Sequence, residues 1–172
     1  MANDKIVVGI ADMKLAKDSG MLVTYALGSC IGICFYDTRI HLAALLHIML
    51  PLNMETKRRA PLKYADTGIR ATLQQMEAQG ASRSRITAKI AGGAKMFEVS
   101  GSGDLGNIGQ RNIDSVHRVL RTEGIRLVAE DVPRDRNGEF EPKLIPKYQR
   151  DISGIEEKVI SLCPRNEHKG YS

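Results

Sequence analysis

Cys30 and His47 are the residues of this 172-residue chain best suited by type and placement to do chemistry. Cys30 follows Leu-Gly-Ser at the head of the apolar run "IGICFYD", and His47 lies in the next run, "HLAALLHIML". The turn-like Asp37-Thr38-Arg39 divides the two runs. Folded as an antiparallel hairpin with the turn centred between Thr38 and Arg39, they put Tyr36 opposite His41, Cys34 opposite Ala43 and Cys30 opposite His47. Directly opposed residues share a sheet face with Cβ atoms about 4.5–5.5 Å apart, close enough for a thiol and an imidazole to meet. A one-residue slip would send His47 to the other face. Such a pair is a nucleophile and a base. A free thiol is only a few per cent thiolate at neutral pH, and a neighbouring imidazolium raises that fraction. The same histidine could protonate a leaving amine and then activate water.

A third polar group should orient the imidazole, and Thr24 is the nearest candidate. Gly28 and Ser29 form a tight approach in which backbone N–H groups at Ser29 or Cys30 could hold an oxyanion. Two other readings account for the same residues: a buried cysteine used as core filler beside a satisfied core histidine, or half of a metal or redox pair with Cys34. The Cys30-x-x-x-Cys34 spacing matches neither a C-x-x-C redox motif nor a zinc site with a second ligand pair. Cys34 and Cys163 read as packing or surface residues. His41, His117 and His168 read as solvated.

The elements that must position this pair follow from patterning. "KIVVGI" (Lys5 to Ile10) and "MLVTYAL" (Met21 to Leu27) are β-rich runs separated by a polar connection. Pro51 closes the run that carries His47, because proline cannot donate into a ladder. "YADTGIRATLQQMEAQG" carries Ala65, Ile69, Leu73 and Met76 at helical spacing, with Gly80 as its stop. "NIGQRNIDSVHRVLRTEG" places Ile113, Val116 and Leu120 on one face and ends at Gly124. "RITAKIAGG" and "IRLVAED" are the strands after these helices. Four early strands followed by helix and strand units predict an α/β (α+β) layered sandwich of mixed or antiparallel strands with two main helices. Residues 1–160 read as one domain and 161–172 as a tail.

No apolar run is long enough to span a bilayer, and "MANDKIVVGIADMK" lacks signal-peptide features. An odd cysteine number argues against a secreted disulfide framework, so the chain reads as cytoplasmic. A net charge of +5 tolerates acidic partners. The basic residues are dispersed and without interleaved aromatics, so no nucleic-acid groove is expected.

At "LGSCIGICFYD" and "LAALLHIMLP" the chain closely resembles CheD, the chemoreceptor glutamine deamidase family of bacterial and archaeal chemotaxis. "KYADTGI", "KIAGGAKMF", "NIGQRN" and "GIRLVAEDV" extend the resemblance over roughly Lys5 to Val132. It implies that Cys30 is the nucleophile, His47 the general base and acid, and Thr24 the third member. It further implies a cofactor-free fold similar to toxin-type glutamine deamidases, receptor helices as substrate, and the CheC phosphatase as a partner. The polar segment after Pro133 is longer than the resemblance predicts. "GSGDLG", Gly101 to Gly106, is the best rival, a G-x-G-x-x-G unit that would make this a nucleotide-binding protein. "KMFEVS", just before it, makes a poor buried strand. A module that binds CheC without catalysis is a further alternative. Phe97, at that loop's edge, is a candidate partner contact or a core residue.

Overall fold

A computed structural model describes residues 5–53, 60–95 and 107–133. Phe97, the Gly101–Gly106 loop, Cys163, His168 and everything after Pro133 lie outside the described residues.

Among the described residues, seven strands and two α-helices make three layers. The strands are β1 (Lys5–Val7), β2 (Asp12–Lys17), β3 (Met21–Val23), β4 (Ile31–Asp37), β5 (Leu42–Ile48), β6 (Ile86–Gly92) and β7 (Arg126–Asp131). The helices are α1 (Ala65–Ala78) and α2 (Ile108–Thr122). The main sheet runs β2-β5-β4-β6-β7, antiparallel except for the parallel pair β6 and β7 that α2 joins. β1 and β3 form a separate parallel pair. This is the layered α/β arrangement with two main helices that the patterning predicts.

Two corrections concern the early strands. The polar connection between the first two β-rich runs contains β2, an edge strand whose Met13 packs into the core and whose Lys14 faces solvent. Alternation masked by lysines and an aspartate hides it, as is usual at sheet edges. The hairpin register also differs from the expected one. β4 and β5 pair Tyr36 with Ala43, Cys34 with Leu45 and Gly32 with His47, around a four-residue loop, Thr38 to His41. Asp37 selects the longer loop, because its buried carboxylate accepts from the Arg39 and Ser82 N–H groups and pairs with Arg85.

On one face, Ile31, Ile33 and Phe35 of β4 join Leu46 and Ile48 of β5 beneath Ile69, Leu73 and Met76 of α1 and Ile113, Val116 and Leu120 of α2. All the apolar positions read as helical are buried. Each large side chain removed from water here contributes about 1.5–3 kcal/mol. The opposite face carries a smaller cluster of Cys34 and Leu45 with Val8 and Leu22 under the β1 and β3 pair. No described helix is long and apolar enough to cross a membrane.

Candidate active site

The two-residue slide in register takes His47 out of direct opposition to position 30, and Cys30 lies in the turn just before β4, outside the ladder. Gly32, two residues after Cys30, stands opposite His47 on the same face of the sheet. That face is the one under β1 and β3, away from the helices. The absent side chain at Gly32 leaves room there: a Cβ would lie 3.5 Å from the Thr24 Cγ2 and 3.3 Å from a Leu27 methyl.

Thr24 and His47 are both fully buried. Thr24 Oγ1 lies 2.8 Å from the Val8 carbonyl oxygen and 2.8 Å from His47 Nδ1. A carbonyl only accepts, so the one hydroxyl proton goes to Val8. Oγ1 can then meet the ring only as an acceptor, and Nδ1 must carry the imidazole proton. Nε2 is thereby left as the basic nitrogen. It is buried and has no hydrogen-bond partner among the described residues.

The shifts run against the imidazolium-assisted thiolate that pairing suggests. Burial pushes the half-buried Cys30 thiol up and His47 down from its ordinary 6.5. Both effects have one cause, the poor solvation of charge away from water. Both shifts favour the uncharged forms of the thiol and the imidazole.

The turn carrying Cys30 is fixed at every peptide. The Cys30 N–H donates to the Leu27 carbonyl at 2.7 Å, so it is not an oxyanion donor as one reading of the sequence had it. The N–H groups of Gly28 and Ser29 donate to nothing among the described residues and remain candidates. The carbonyl of Gly28 accepts from Ala94, and that of Cys30 accepts from Gly93. The carbonyl of Ser29 accepts from Asn112 Nδ2 at 2.8 Å. This close approach explains the glycines of "KIAGGAK" and "NIGQRN". A Cβ at Gly92 would collide with the Cys30 carbonyl, and one at Gly109 with the Gly93 carbonyl. The sequence had presented them as a strand end and a helix start. Asn112 was missed, although a polar residue on the same helix face as Val116 and Val119 is a signal of a specific buried contact.

His41 touches the Tyr36 hydroxyl, and His117 bridges to Glu130 at the surface. Neither joins the Cys30 face.

A family model described as CheD chemotactic sensory transduction matches residues 49–143. A probable chemoreceptor glutamine deamidase CheD of Clostridium botulinum (strain Alaska E43 / Type E3) is 47% identical over 133 residues, 77% of this chain and 82% of that protein. The one from Syntrophomonas wolfei is 47% identical over 127 residues, 73% of this chain and 79% of its own. The chemoreceptor glutamine deamidase CheD of Thermotoga maritima is 41% identical over 158 residues, 91% of this chain and 98% of that protein. The family-model match begins just after His47, but the T. maritima alignment leaves too little of the chain outside it to miss the segment from Thr24 to His47. By both kinds of match, this chain belongs to the CheD family.

Proposed function

We infer that this protein is a cytoplasmic glutamine deamidase of chemotaxis, converting chosen glutamine side chains of chemoreceptors to glutamate through a thioester on Cys30. The observation that carries the mechanism is the Val8–Thr24–His47 chain of contacts, which supports Nε2 of His47 as the acceptor for the Cys30 proton. The names of the relatives support the reaction and the substrate.

As Cys30 Sγ bonds to the carboxamide carbon, its proton passes to His47 Nε2, and the carbonyl electron pair moves to oxygen. The free N–H groups of Gly28 and Ser29 are the donors for that oxyanion. When the C–N bond breaks, Nε2–H protonates the nitrogen and ammonia leaves, with the acyl group retained as a thioester. Water then gives a proton to Nε2 and attacks the thioester. The C–S bond breaks, sulfur recovers the proton, and glutamate is released. Thr24 keeps the ring proton on Nδ1 throughout. Receptor glutamyl methyl esters would react by the same steps with methanol leaving. A CheC-type phosphatase is the expected regulatory partner.

Mass spectrometry of a receptor fragment incubated with the protein tests this. Wild type should produce the one-dalton gain of glutamine to glutamate, and Cys30→Ala none. Conversion by Cys30→Ala at the wild-type rate would sink the reading.

A further inference from the structure

We propose that Asn112 is a positioning residue for this site, its side-chain amide setting the spacing between the turn that holds Cys30 and the strand end that holds His47. The proposal rests on the reading of Cys30 and His47 given above. The ladder between β4 and β5 ends at the pair Ile31 and Ile48. Beyond that pair no ladder bond holds the Cys30 turn against the chain leaving β5. Asn112, fully buried on α2, bridges the gap: Nδ2 donates to the Ser29 carbonyl at 2.8 Å and to the Met49 carbonyl at 2.9 Å. Ser29 precedes the nucleophile, and Met49 lies two residues after the base.

Two carbonyl oxygens cannot bond to each other, so joining them needs a group with two protons and no charge to bury. A primary amide supplies that, and its orientation is unambiguous because both partners only accept. Its Oδ1 is buried without a hydrogen-bond partner among the described residues. Structural asparagines seldom leave a buried acceptor unused, so the two donated bonds account for the residue's presence. The bond to Ser29 also holds the peptide whose N–H is tied to Leu27, which sets the backbone entering Cys30.

The test compares Asn112→Asp and Asn112→Ser with Ser115→Ala. Ser115 is equally buried on the same helix and donates to the Pro51 carbonyl at 2.7 Å, clear of the Cys30 turn. Deamidation kinetics and the pH midpoint of Cys30 alkylation by iodoacetamide are measured where each variant is folded. Asn112→Asp sets acceptor oxygens against both carbonyls. It should lower kcat about 100-fold, the scale of an ångström of misplacement, with KM nearly unchanged and the alkylation midpoint moved. Asn112→Ser keeps one donor and should lose less. Ser115→Ala should lower Tm while kcat and the midpoint stay at wild type. Folded Asn112 variants with wild-type kcat and midpoint overturn the proposal. Nuclear magnetic resonance on wild-type protein decides it even where the variants do not fold. Alkylating Cys30 should shift both Asn112 side-chain amide protons and leave those of Gln110, which bonds Asp114 on the exposed side, in place. Asn112 protons that stay put overturn it equally. The reading of the site fails on another result, deamidation by Cys30→Ala, so the two failures are distinguishable.

Discussion

The two faces of the five-stranded sheet are made by the same strands and differ in what covers them. Toward the helices, β4 and β5 contribute isoleucine, leucine, alanine and phenylalanine, and the buried polar side chains in that layer, Asp37, Thr72, Asn112 and Ser115, each make hydrogen bonds. Toward β1 and β3, the same strands contribute Gly32, Cys34, Leu45 and His47, and the cover is two strands of three residues each. The first face stabilises chiefly by apolar area. The second gives up area for a buried imidazole whose Nδ1 is held by Thr24. On the proposed reading, the reacting side chains lie on one side of the sheet and most of the apolar packing on the other, and substitutions on alternate residues of one strand should affect one without the other.

The sharpest break is between Cys30 and Phe35. Cys30→Ala should reduce receptor deamidation to background while changing unfolding free energy by no more than about 1 kcal/mol. Phe35→Ala, five residues along on the helix side, should cost about 3–5 kcal/mol in urea unfolding while the folded fraction retains its kcat. Cys34→Ala, buried beside Leu45, should keep activity, and equal losses at both cysteines would merge the two roles. A smaller effect is expected at Thr24. Thr24→Val keeps the shape but strands the Val8 carbonyl and the Nδ1–H, so kcat should fall roughly 10–100-fold, as when a partner that orients a histidine is lost. Thr24→Ser should recover most of it.

Acid titration reads the polar face directly. His47 is harder to protonate folded than unfolded, so the unfolded chain takes up the proton first as pH falls. The stability due to its neutral form is therefore complete above about pH 6.5 and lost as pH drops from there through the lower folded value. In His47→Gln, denaturant midpoints should lack that portion of the decline. The smallest effect belongs to Ala26, held at φ 54° between Thr24 and the Cys30 turn. A left-handed conformation costs a residue with a Cβ about 1 kcal/mol, so Ala26→Gly should raise the urea midpoint by a corresponding amount.

Periodicity made the helix-covered face legible. Ala65, Ile69, Leu73 and Met76 declare their helix by spacing, and Gly80 and Gly124 mark where helices stop. The polar face was legible only by parity. The observed register differs from the simplest hairpin by an even number of residues, so His47 stays on the face of Gly32 and Cys34 that the hairpin assigned it. The slide itself was hidden, since it depends on Asp37 meeting Arg85, 48 positions away. The Asn112 bridge, 83 positions from Ser29, was hidden for the same reason. β2 escaped because an edge strand with lysines shows little apolar alternation. Thr24 was named by proximity in sequence, yet what makes it effective is the Val8 carbonyl, a backbone group with no signature at all.

That carbonyl gives the N-terminal strand a dynamic role. Val8 donates its N–H to Val23 and offers its oxygen to Thr24, so a single residue couples strand pairing to ring tautomer. β1 is three residues long with both outer positions exposed, so few buried contacts hold it and its opening costs little. Each opening frees the threonine proton to turn toward Nδ1 and so permits the opposite tautomer, with the proton on Nε2. Loss of the β1 pairing thus removes the contact that fixes the ring proton on Nδ1. Amide exchange at Val8 should therefore track activity across N-terminal fusions and truncations more closely than global melting does.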